Sequence, residues 1–151
     1  ELNSVLKAHP GVDAGLLQFE VLETAALGDV KRIAAIMAEC NSLGVSFAID
    51  DFGIGFGAVN SLRSLPVRSI KIDRSFIHNM LNDDDDLATV QSVIGLATAF
   101  HREVIAEGVE TSSHCQALLK LGCHQVQGHG IAYPMTAARM QAWMQEHAHR
   151  H

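Results

Sequence analysis

Positive charge is scarce in this chain. Eleven Lys and Arg residues stand against 17 Asp and Glu, for a net charge of −6. That balance excludes a broad basic surface for double-stranded nucleic acid. It leaves open a small phosphate-bearing ligand, because bound metal ions can supply positive charge locally. Cysteine is also sparse: Cys40, Cys115 and Cys123 form an odd, scattered set with no Cys-x-x-Cys spacing. Such a set excludes a disulfide framework and reads as reduced core thiols in a cytoplasmic protein. No apolar run approaches the ~20 residues needed to span a bilayer, and the first residues carry no signal-peptide pattern. A cytoplasmic location is expected, as a separate protein or as the cytoplasmic part of a membrane-bound parent. Gly-x-Gly-x-x-Gly and Walker sequences are missing too, which disfavours a nucleotide site of the open, doubly wound type. The 151 residues suffice for one domain with a core of its own.

What is present is centred on one stretch, Ala48-Ile49-Asp50-Asp51-Phe52-Gly53-Ile54-Gly55-Phe56-Gly57. An apolar run ends in two adjacent carboxylates and passes at once into a glycine-rich turn. Two acids side by side raise each other's free energy unless a cation compensates. A divalent metal is the natural compensator, since hard cations prefer carboxylate oxygens. The plainer alternative is one Asp capping the next helix and one solvated.

The rest of the chain repeats a strand-then-helix pattern five times. Strands are expected over residues 16–22, 45–49, 68–73, 103–109 and 124–131. Helices are expected from about Asp29 to the stop at Gly44, over 57–65 up to Pro66, after the acidic turn 83–86, from Thr111 or Ser112 to Gly122, and after Thr136. The helix after Thr111 or Ser112 contains Cys115, Leu118 and Leu119, and the stripe Met140, Trp143 and Met144 on the final helix is expected to face inward as core. The final histidines, His147, His149 and His151, read as a solvated end. A βαβ series implies a parallel sheet. Each strand ends in polar residues: Glu20 with Glu23, Asp50 with Asp51, Lys71 with Asp73, Glu107 with Glu110, then Gln127. Polar groups gathered at the carboxyl ends of parallel strands mark the active face of a TIM-type (β/α) barrel. Five units cannot close an eight-stranded barrel, so the chain is expected to be the C-terminal portion of one. Both sheet edges would then be open, a liability for association.

These motifs are those of a known family. Glu20-Val21-Leu22-Glu23-Thr24, Asp50-Asp51-Phe52-Gly53-x-Gly55, Lys71-Ile72-Asp73, Ala106-Glu107-Gly108-Val109-Glu110-Thr111 and Gln127-Gly128 resemble, in order and spacing, EAL domains. These are bacterial phosphodiesterases that cleave cyclic di-GMP to the linear dinucleotide pGpG. The resemblance implies that residues 1–151 are the C-terminal portion of such a domain, with the Glu-Ala-Leu strand and an Asn ligand lying upstream. It implies a two-metal site holding Mg2+ or Mn2+. Glu20 would ligate one ion, Asp50 would bridge both, and Asp51 and Glu107 would hold the second. Glu107 would also help to activate the water, and Lys71 would stand beside water and phosphate. Glu23 would tether the loop after Asp51, while Glu110 and Gln127 would contact or position substrate. For Lys71 and Glu107 alone, the plainer alternative is a buried ion pair across adjacent strands.

The sequence departs from the family pattern at Ile54, where Thr is usual, at His129, where Tyr is usual, and at Tyr133, where a basic residue is common. The resemblance further implies a homodimer and an upstream sensory or diguanylate-cyclase-like domain in the parent chain. Two other readings stand beside the enzyme: an EAL-like module that binds cyclic di-GMP without cleaving it, and a half-barrel that pairs through its open edges. The retained Asp50, Asp51, Lys71 and Glu107 favour the enzyme.

Overall fold

The computed structural model of the chain describes residues 1–24, 29–53 and 58–147. The glycine-rich positions Ile54, Gly55 and Gly57 and the terminal His149 and His151 lie outside them. A first helix α1 (Leu2–Ala8) and a short 3-10 turn (Ala14–Leu16) lead into strand β1 (Gln18–Leu22). There follow α2 (Val30–Asn41), β2 (Ser46–Phe52), α3 (Ala58–Ser64) and β3 (Ser69–Ile72). The order continues with α4 (Arg74–Asn79), α5 (Asp84–Ala99), β4 (Glu103–Ala106), α6 (Ser112–Lys120), β5 (Gln125–Val126) and α7 (Ala137–His147). The five strands form one parallel sheet in chain order, β1-β2-β3-β4-β5. That is the α/β architecture of a partial TIM-type barrel.

Helix starts obey local chemistry. Asp29, Asp83 and Thr111 each accept a backbone N–H from the first turn of the following helix, at 2.9 to 3.3 Å. Three further acids, Asp84, Asp85 and Asp86, occupy the first turn of α5, where the helix dipole favours negative charge. The acidic run is thus absorbed by a helix end. Gly44 follows α2 with a φ of +99°, the left-handed stop that glycine adopts without a Cβ penalty.

Strand register sorts the side chains into two faces. Val21, Phe47, Ile49, Ile70, Ile72, Val104, Ala106 and Val126 alternate onto the face that packs against helices. There they meet Met37, Leu62, Leu65, Ile77, Met80, Val90, Val93, Ile94, Ala97 and Leu118. The opposite face is polar. Its lower layer joins Gln18, Ser46 and Ser69, with the Gln18 amide donating to the two hydroxyls at 3.4 and 3.1 Å. Its upper layer holds Glu20, Asp50 and Lys71.

Several expectations are corrected. β2 runs on through Asp50 and Asp51, so the acids lie inside the strand's end. β4 stops at Ala106 and β5 at Val126. The chain turns after Val126 because the Gly130 N–H donates back to the Val109 carbonyl at 2.8 Å, pulling His129 off any strand face. On α6, His114 and Leu118 are buried and Leu119 is 53% exposed. The stripe on α7 is not core: Met140 and Met144 are exposed, and Trp143 stacks on His147 one turn away. Among the described residues no helix is long and apolar enough to cross a membrane.

Candidate active site

The carboxyl ends of β1 to β4 bring four charged side chains to one place. Lys71 projects from β3 on the polar face and is 5% exposed. Its Nζ lies 2.6 Å from Glu20 Oε1 on β1, 2.5 Å from Glu107 Oε1 beyond β4, and 3.5 Å from Asp50 Oδ1 on β2. Three elements therefore aim acids at one cation. Burial alone would push the Lys71 ammonium toward losing its proton, but the hydrogen bonds to Glu107 and Glu20 outweigh it and hold the pKa above the usual lysine value. The ammonium is thus charged at any physiological pH.

Asp51 lies on the rim of this cluster. Its φ of +53° is left-handed, a conformation Asp tolerates better than most residues. Burial, and then the neighbouring Asp50 and Asp73, raise its pKa above the usual carboxylate range. Asp73 goes the other way. Burial pushes it up, but the Ser75 hydroxyl and amide, and then Asp51, lower it overall. The Ser75 amide donates at 2.8 Å as Asp73 caps α4, and the Ser75 hydroxyl makes a short hydrogen bond to the same oxygen. The loop after Asp51 is fastened from β1: the Gly53 N–H donates to Glu23 Oε2 at 3.2 Å, and Glu23 is buried.

Of the residues the sequence singled out, Glu20, Asp50, Lys71 and Glu107 are in direct contact. Asp51 adjoins Asp50, and Glu23 holds the loop behind both. Glu110 and Gln127 line a cavity of about 810 Å3 together with Glu107. Glu110 also lies 3.5 Å from His78 on α4. Sequence reasoning left out Asp73 as a neighbour of Asp51 and Arg74, Ser75 and His78 as cavity wall. The signal for Asp73 was in view, since it shares the Lys71 strand end.

The donor set suits a hard divalent cation, being carboxylate oxygen throughout. Among the described residues, however, no three acidic, His or Cys side chains enclose a common metal position of their own. Their oxygens are drawn around the Lys71 ammonium instead. Glu20, Asp50 and Glu107 already neutralise one cation, and an arriving ion would compete with that ammonium for the same oxygens.

Comparisons with known proteins agree with this geometry. The family model for the EAL domain matches residues 1–134. A bifunctional diguanylate cyclase/cyclic di-GMP phosphodiesterase, MucR of Pseudomonas aeruginosa, is 36% identical over 126 residues, which are 83% of this chain and 18% of MucR. The cyclic di-GMP phosphodiesterase PA2567 of the same species is 34% identical over 133 residues, 88% of this chain and 23% of that one. The chain thus spans about a fifth of the length of these curated relatives. Among solved structures, the PaMucR phosphodiesterase in complex with c-di-GMP superposes with a TM-score of 0.86 at 34% identity, over 92% of this chain and 56% of that one. The EAL domain of Mycobacterium smegmatis DcpA gives 0.88 at 34% identity, over 96% and 65%. A parallel sheet whose strand ends carry these acids, matched over most of its length by one family, leaves one conclusion: the chain belongs to the EAL domain family.

Proposed function

We propose that this chain is the C-terminal portion, residues 1–151, of a metal-dependent phosphodiesterase that hydrolyses cyclic di-GMP to linear pGpG. The observation that supports this most directly is the convergence of Glu20, Asp50 and Glu107 on Lys71 at the carboxyl edge of the sheet. Glu20, Asp50, Asp51 and Glu107 would hold two ions, Mg2+ or Mn2+. When bound, such ions polarise phosphoryl oxygen and lower the pKa of the attacking water.

The protein's own groups have separate tasks. Lys71, charged and nearly buried, stabilises negative charge developing on a phosphodiester beside it. Glu107, one strand over, accepts a proton from water once Lys71 turns to the phosphate. Glu23 keeps the Asp51 backbone in place through Gly53. Glu110 and Gln127 face the cavity in which the dinucleotide would lie. The same reading carries a cytoplasmic homodimer and a longer parent with sensory or cyclase-like domains. It is consistent with relatives several times this chain's length.

A module that binds cyclic di-GMP without cleaving it is the second reading, favoured by the absence of a ready-made metal cluster among the described residues. Turnover separates the two. Cyclic di-GMP incubated with the protein and Mn2+ should yield pGpG, chelator should stop it, and Glu107→Gln should lose at least ~100-fold in kcat. Binding without metal-dependent cleavage would establish the module instead.

A further inference from the structure

The amino ends of the strands carry a polar cavity of their own. It encloses about 480 Å3 below β2, β3 and β4 and is lined by Asn41, Arg68, His101, Arg102 and Glu103. Arg68 stands just before β3 and Glu103 opens β4, the strands that lead to Lys71 and Glu107. Four residues of strand from Glu103 to Glu107 put the two ends about 13 Å apart, and the two cavities share no residue. Two of the eleven Lys and Arg residues thus line one cavity in a chain of net charge −6. Their charge is not used up within the chain. Glu103 is the single acid on this wall, and both its oxygens are engaged. Arg68 Nε and Nη2 each donate to its Oε1 at 3.2 Å, and the Gln125 amide donates to its Oε2 at 3.2 Å. That occupies two of the five N–H groups of the Arg68 guanidinium. Arg102 forms no ion pair among the described residues, and its Nε is closed off from solvent without an acceptor. A half-buried cation without a counter-charge is costly until something compensates it. Asn41 gives its amide to the Pro66 carbonyl at 2.9 Å, which leaves its Oδ1 buried and also without a partner.

We propose that this cavity is an anion site for a small phosphomonoester, separate from the carboxylate edge. Arg68 and Arg102 hold the phosphoryl oxygens, and the apolar wall of Phe47 and Val67 takes the organic body. The site goes beyond the hydrolytic reading and does not depend on it. Three features carry it. A guanidinium fork matches phosphoryl oxygens in geometry as well as charge. A doubly charged group answers two arginines of which Glu103 neutralises only one. The volume of about 480 Å3 lies in the range that encloses a small organic ligand and exceeds what a bare ion needs.

Phenyl phosphate is the probe, titrated calorimetrically into the 151-residue protein in EDTA. The chelator removes any metal through which the carboxylate edge could hold a phosphate. Saturable binding with a Kd below about 1 mM is expected, at least ~3-fold tighter than inorganic phosphate because the ring leaves water. Arg102→Gln, shown to be folded by circular dichroism, should weaken it at least ~10-fold, since one charged hydrogen-bonding group is lost. Amide NMR of the unaltered protein locates the probe without any substitution. Phenyl phosphate should shift the amides of residues 66–68 and 101–103, and this reading decides alone if Arg102→Gln does not fold. Shifts confined to Lys71, Glu107 and Gln127 would put the anion at the carboxylate edge and overturn the proposal. So would no saturable binding, equal affinity in Arg102→Gln, or inorganic phosphate bound as tightly as the phenyl ester.

Discussion

Lys71 is the residue on which the site turns, because its one positive charge is shared by three acids that would otherwise repel one another. Removing a buried charge from a network leaves the partners uncompensated. Glu20, Asp50 and Glu107 retain 49, 22 and 18% side-chain exposure, so water recovers part of that loss. Lys71→Met should therefore cost about 2–3 kcal/mol of stability without metal, measured by urea denaturation. Mn2+ should raise the melting temperature more in Lys71→Met than in the parent, because the ion takes the vacated oxygens without a competing ammonium. Equal metal shifts in the two proteins would show that the ion and the Lys71 ammonium do not compete for these oxygens. Glu103 is a contrasting case at the other end of the strands. Arg68, and then Gln125, hold its pKa below the usual carboxylate range. A depressed folded-state pKa stabilises above the ordinary carboxylate value, and the gain is lost as pH falls through the depressed one. Both partners are well exposed, so Glu103→Gln should cost under about 0.5 kcal/mol at pH 7 and nothing near pH 2.

At the scale of elements, the segment after β5 is fixed by backbone contact more than by side chains. A Cβ at Gly128 would overlap the carbonyl oxygen and amide of Val109, which rigid backbone cannot relieve. Gly128→Ala should therefore cost about 3 kcal/mol or more and disturb the Glu110 segment. A circular-dichroism melt checks this; an unchanged Tm would mean that the turn shifts freely. Such contacts mark where the sequence stops being legible. The period-2 run Ile70-Lys71-Ile72 and the capped acidic turn before Leu87 could be read directly, because local pattern and tertiary role coincide there. The ends of β4 and β5 could not. Polar alternation continues past Ala106 and Val126, while pairing ends where Gly130 closes on Val109. The stripe on α7 misled for a related reason: apolar spacing shows that a face could be buried, and only the fold shows whether anything covers it. Within the site, chain order gave Glu20, Asp50, Lys71 and Glu107. Their gathering on one ammonium depends on register across β1 to β4 and was invisible in one dimension.

The whole molecule exposes more surface than its size calls for. The chain presents 9815 Å2, whereas a compact protein of 16.3 kDa exposes about 7,500 Å2. The difference is comparable to a protein interface. Part of it lies at the sheet edge, where β1 leaves Phe19 and Leu22 exposed and the turn before it leaves Leu16 exposed. The isolated 151-residue chain should therefore self-associate with concentration in sedimentation velocity, and Leu22→Lys should reduce that association. A monodisperse monomer at all concentrations would contradict the expectation. The central claim is that this sheet edge is a divalent-metal hydrolytic centre and not merely a structural ion network. Calorimetric titration with Mn2+ tests it most directly, comparing the unaltered protein with Asp50→Asn, each shown to be folded. Saturable Mn2+ binding that Asp50→Asn abolishes or weakens at least ~10-fold is the predicted result. No binding by the unaltered protein, or equal binding by both, would contradict it and leave Lys71 as the only cation these acids serve.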